Sequence, residues 1–132
     1  MAQLGIAEAF GTYGAKLRNV QWSASAWAPD GSLVVSLWAH HYRKGPEGTA
    51  EYADTTERWS GPGKKEFHEN VSTAYKDGSI VRLVVARTLE TERVEAGESA
   101  SKIAKDFDAK TEQLGEVVEF DGGNYVFRFR RV

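Results

Sequence analysis

Two stretches near the start of the chain, Val20–Ala28 and Leu33–His40, alternate between two kinds of side chain with a period of two, and they flank Pro29-Asp30-Gly31-Ser32. Successive strand residues point to opposite faces, and Pro, Asp and Gly carry turn chemistry, so the pattern predicts a β-hairpin. Pairing Ala28 with Leu33 gathers Trp22, Ala24, Ala26, Val35, Leu37 and Ala39 on a core face. The opposite face then holds Trp27 and Trp38 together, spaced by Ser23, Ser25, Ser36 and Val34.

A short helix is expected over Ala2–Phe10, a Gly/Pro loop over Arg43–Thr49 and a third strand over Tyr52–Trp59. Ser60-Gly61-Pro62-Gly63 reads as a helix entry, with Ser or Gly as cap and Pro at the first helical position. The helix continues to about Asp77, with Phe67, Val71, Ala74 and Tyr75 as one apolar stripe, and Gly78 ends it. Ile80–Leu89 is a continuous β-branched and apolar run, the pattern of a central strand covered on both faces. Glu90, Glu92, Glu95 and Glu98 form an acidic connector around Arg93, and a short helix is expected over Ser99–Phe107.

Leu114–Phe120 and Tyr125–Val132 flank Asp121-Gly122-Gly123-Asn124, a second hairpin signal. Pairing Phe120 with Tyr125 places Val118 opposite Phe127 on an aromatic core face, with Val117, Glu119, Arg128 and Arg130 behind it and Glu119 diagonal to Arg128. The expected fold class is α+β in a single domain spanning residues 1–132. It has a mixed, mostly antiparallel sheet of about five strands, built from two hairpins plus a central strand. One main helix and one or two short helices pack on it.

Composition narrows the chemistry. The 132 residues include no cysteine, which excludes disulfides, thiolate metal sites and thiol nucleophiles. Seventeen basic and nineteen acidic residues give a net charge of −2, which argues against a wholly basic nucleic-acid binder. Local basic clusters remain at Arg43–Lys44, Lys64–Lys65 and Arg128–Arg130–Arg131. No run approaches the roughly 18 apolar residues of a membrane span. The start of the chain lacks the basic region of a signal peptide. A cytoplasmic protein with no membrane partner is expected.

No catalytic pattern survives inspection. His40 and His41 are adjacent on an expected strand and so point apart, and no carboxylate stands at helical ligand spacing from either. His68 sits beside Glu66 and Glu69 on the helix. Pro29-Asp30 and Asp108-Ala109-Lys110 spell a nuclease-like motif, but one Asp lies in a tight turn and the other follows the expected helix. Ser60 lacks a Gly-x-Ser-x-Gly frame, and Gly61-Pro62-Gly63-Lys64-Lys65 lacks the spacer and ending of a phosphate loop. The sequence therefore predicts no catalytic residue, no metal site and no cofactor.

The four tryptophans all lie in the first half of the chain. An open Trp27/Trp38 face would suit stacking against a base, and Trp59 precedes a helix start that carries Lys64 and Lys65. The stretch Trp59-Ser60-Gly61-Pro62-Gly63-Lys64-Lys65-Glu66-Phe67, its amphipathic helix, Gly78 and the strand Val81–Ala86 resemble part of the N-terminal domain of McrA-type modification-dependent endonucleases. In that family this domain binds DNA carrying modified cytosine, and a separate His-Asn-His nuclease domain cuts. The resemblance covers about a quarter of the chain, has Ser60 as an extra residue, and implies a stand-alone reader of modified DNA.

The leading expectation is thus a nucleic-acid-binding domain without catalytic activity. Trp27, Trp38 and Trp59 are the base contacts, and Arg43, Lys44, Lys64 and Lys65 the phosphate contacts. The alternatives are a small phage- or prophage-type protein-interaction or inhibitor module, and an enzyme acting on a small polar ligand. The interaction module would use exposed tryptophans as anchors for a protein partner.

Overall fold

The computed structural model describes residues 5–20, 22–57, 59, 61–98 and 102–132. In chain order its elements are α1 (Ile6–Gly11), β1 (Ser25–Trp27), β2 (Leu33–Trp38), β3 (Tyr42–Lys44), β4 (Ala50–Thr55), α2 (Pro62–Asp77), β5 (Val81–Arg87), α3 (Thr91–Glu95), β6 (Asp106–Ala109), β7 (Gln113–Phe120) and β8 (Asn124–Arg131). The fold is α+β with a mixed sheet, but that sheet has eight strands among the described residues rather than about five. Its order is β1-β2-β5-β7-β8-β4-β3, with β6 also on β5.

The apolar run of β5 is the sheet's spine. It pairs in parallel with β2 and antiparallel with β6 and β7. Both of its faces are covered. Val81, Leu83 and Val85 join Phe67 and Val71 of α2 in the larger core, while Val84 and Ala86 join Phe10, Ala26 and Phe107 in the smaller one, beneath α1. The helix α2 follows its pattern: Phe67, Val71 and Ala74 are buried and Gly78 ends it at φ 65°. Tyr75, assigned to the same stripe, is exposed. Near the start of α2, Gly63 lies against the backbone carbonyl of Trp22, a contact that leaves no space for a Cβ atom.

The sheet is curled. In strand order β2 and β3 stand five places apart, which in a flat sheet is ~24 Å. Trp38 and Tyr42 are joined by four Cα–Cα steps, at most ~15 Å. The 3-10 turn Ala39–His41 spans this gap only because the β7-β8-β4 side folds over toward the end of β2. Tyr52, Tyr125, Phe127 and Phe129 thereby face α2 across the same core as Leu33 and Leu37.

Several sequence expectations are corrected. In the first hairpin Trp27 pairs with Leu33 and Ala26 with Val34, one residue off the expected register, because the loop closes from Ala28 to Ser32. A one-residue slip moves every side chain to the other face. Trp27 therefore shares the α2 side with Leu33, while Trp38 lies with the α1-side cluster. In the second hairpin Phe120 does pair with Tyr125, but the ladder is irregular between Val117 and Glu119. Val117 consequently faces Phe127 and is buried, where Val118 was expected.

Part of the supposed loop 43–49 is strand β3, and the acidic connector contains α3. The expected helix over Ser99–Phe107 is overturned at its end, because Asp106–Ala109 is a strand on β5. Ile103 and Phe107, buried four residues apart, imitate a helical stripe. Residues 99–101, the start of the expected first helix and the Ser60 cap lie outside the described residues.

Candidate functional site

Strand β4 ends in polar residues that still face inward. Tyr52 packs in the core, and the alternation carries Asp54 and Thr56 to the same side, ~7 Å apart. Asp54 is nearly covered: its Oδ2 lies 3.1 Å from His41 Nδ1 and accepts a 3.4 Å hydrogen bond from the Tyr125 hydroxyl. Thr56 is fully buried, hydrogen-bonded to His68 Nε2 of α2, and its amide donates to the Gly123 carbonyl at 2.9 Å. The end of β4 thus holds the histidines in two groups, His41 with neighbouring His40 at Asp54 and His68 at Thr56.

Glu95 completes the first cluster. Its Oε2 lies 2.9 Å from His40 Nε2 and 2.7 Å from His41 Nε2. The short helix α3 delivers it, and the acidic connector holds its shape around Arg93, which bonds Glu90 at 2.8 Å and Glu98 at 2.9 Å. Glu90 also accepts from the Ala104 amide. The expectation that His40 and His41 point apart fails for a physical reason: they sit in a 3-10 turn, not a strand, so both Nε2 atoms reach one carboxylate. That carboxylate comes from 54 residues beyond His41, beyond the reach of local spacing rules. Burial alone would lower the pKa of His41, but its bonds to Asp54 and Glu95 prevail and raise it.

Beside Thr56 lies an open groove of about 530 Å³ lined by Thr56, Glu57, Lys64, His68 and Asp121–Asn124. Its floor is the tip of the β7–β8 hairpin. There Asp121 Oδ1 accepts from the amides of Gly123 and Asn124, bonds that hold its carboxyl below the usual range. Its wall is the first turns of α2, whose cap Gly61 offers no side-chain hydrogen bond. Trp59 packs against Phe67 with the rings tilted at 48° and centroids 4.9 Å apart, partly buried against the larger core.

The seven residues expected to contact nucleic acid are only partly brought together. Trp59, Lys64 and Lys65 cluster at the start of α2. Trp27 flanks the same helix further along, its Nε1 donating to Asn70 Oδ1 at 3.0 Å, while Asn70 Nδ2 donates to Ser25. Trp38 lies on the other face of the sheet, so the expected two-tryptophan platform does not form. Arg43 stands behind the sheet in an ion-pair ladder, bonding Glu51 at 2.9 Å while Arg128 holds the other oxygen at 2.7 Å. Arg128 therefore pairs with Glu51 and not with Glu119. Lys44 is exposed on the edge strand β3.

The fold and its polar end define a small α+β domain with a groove and a histidine–carboxylate cluster sharing one strand. Comparison with family models, curated proteins and solved structures finds no match, so the site's own geometry carries the functional reading.

Proposed function

We propose that the domain binds DNA at the groove beside the N-terminus of α2, reads a modified base there and does not cut. The groove is the observation that supports this most directly. It offers acceptors at Asp121, donors at Lys64 and groups of both kinds at the exposed Asn124, the mixed set that a base edge requires, while Thr56 and His68 bond each other in its lining. Lys64 and the exposed Lys65 supply positive charge where the helix dipole already favours phosphate. The resemblance of residues 59–86 to the modified-DNA reader domain falls on this same helix entry. Arg43 and Trp38 take no part in this version of the interface.

The test is fluorescence anisotropy of labelled duplexes, with and without modified cytosine, across a salt series. Lys64→Glu and Lys65→Glu should weaken binding, and each lost phosphate contact should reduce the logarithmic salt slope by ~0.9. Binding absent from every duplex and single strand, or insensitive to salt, would sink the proposal.

A protein-interaction role is the second reading, and exposed apolar side chains favour it. Leu89 is fully exposed, and Tyr75 and Ile80 are about half exposed at the far end of α2. Co-purification with a protein partner, without retention on heparin, would select it.

A further inference from the structure

We propose that His40, His41 and Glu95 bind a divalent transition-metal ion of the zinc class, with Asp54 orienting His41 from behind. This inference is independent of the groove and stands on the geometry of the 3-10 turn.

One donor atom from each of the three residues lies within 4.8 Å of the others. Two imidazoles and a carboxylate suit zinc, copper, nickel or cobalt, whereas magnesium and calcium select all-oxygen shells. Zinc bonds of ~2.0–2.1 Å place tetrahedral ligand atoms ~3.3 Å apart. The present separations of 2.9 and 2.7 Å from the two Nε2 atoms to Glu95 Oε2 therefore need to open by only about half an ångström. The Glu95 side chain is 52% exposed and has the room to retreat.

The position of Asp54 distinguishes this cluster from a casual surface ion pair. It approaches His41 on Nδ1, the ring nitrogen away from Glu95, and is itself 7% exposed and bonded by Tyr125. A carboxylate on the far nitrogen keeps a proton on Nδ1, so that an incoming metal displaces the proton of Nε2 and takes its lone pair, the arrangement that metal-bound histidines ordinarily show. Three protein ligands also leave a fourth position. On the side of Glu95 and His40, both solvent-accessible, that position is open to water or to an anionic ligand group.

The full chain, stripped with a chelator and dialysed, should take up one Zn²⁺ in a calorimetric titration, with its thermal midpoint rising as zinc is added. Co²⁺ should give visible ligand-field bands of low coordination number, and Mg²⁺ should do neither. Glu95→Gln and His40→Ala change exposed residues and should keep the circular dichroism of the parent while losing at least tenfold in zinc affinity. Asp54→Asn should weaken zinc by about 10–100-fold, as an orienting partner does. His68→Ala should leave zinc binding unchanged. The proposal is overturned by absence of saturable zinc uptake, by equal affinity in Glu95→Gln and His40→Ala, or by Mg²⁺ competing as well as zinc.

Discussion

His41 and Asp54 are partners across the fold: Nδ1 of one lies 3.1 Å from Oδ2 of the other, and both side chains are largely shielded from solvent. The pair fastens the turn after β2 to the inner face of β4. Asp54→Ala removes an acceptor from His41 and from the Tyr125 hydroxyl together and should cost ~1–3 kcal/mol. Asp54→Asn keeps an acceptor oxygen and should cost less. Urea denaturation of the metal-free protein measures both.

Gly63 should tolerate no side chain. A methyl group there meets the Trp22 carbonyl oxygen, which belongs to rigid backbone. Gly63→Ala should therefore destabilise by ~1–3 kcal/mol, as overpacking does, although alanine is the better helix former. An alanine at exposed Lys65, two residues along the same helix, supplies the control and should stay within ~0.5 kcal/mol of the parent.

Glu51 should set part of the acid limit of stability. Bonds from Arg128 and then Arg43 hold its carboxyl below the ordinary range in the folded state. The guanidinium groups, more than depth in the core, cover it. A carboxyl lowered on folding contributes above its unfolded pKa, about 4.3, and loses that contribution as pH falls through the folded value. Denaturation midpoints should decline below about pH 4–5. Glu51→Gln should start lower at neutral pH and decline less across that acid window.

Trp27 should dominate the quenchable fluorescence. It is 37% exposed, whereas Trp22, Trp38 and Trp59 are more enclosed. Trp27→Phe should remove the largest share of acrylamide-accessible emission. Equal loss on Trp38→Phe would contradict the observed hairpin register.

What the sequence revealed depended on the range of each signal. The stripe and glycine stop of α2, the two hairpins and the doubly buried β5 were legible because periodicity and turn chemistry act over a few residues. The register of the first hairpin was not, since the same Pro-Asp-Gly-Ser run closes a loop one residue longer than a tight pairing implies. Strand β6 hid behind a false helical spacing of Ile103 and Phe107. Of the candidate site, the helix entry with Trp59, Lys64 and Lys65 could be found from its Gly-Pro-Gly start. The histidine cluster could not, because Glu95 and Asp54 reach it from separate elements. Lone acidic residues in a charged connector carry no local mark of such a role.

The short crossing from β2 to β3 has one more effect. The strand β3 is an outer edge with backbone groups open to another chain, the kind of edge that templates aggregation or exchange between copies. Four Cα steps tie it to a strand locked in parallel against β5. It cannot swing out to a neighbour without first tearing the spine of the sheet, so the tether opposes exchange of β3 between copies while its outer backbone groups stay exposed.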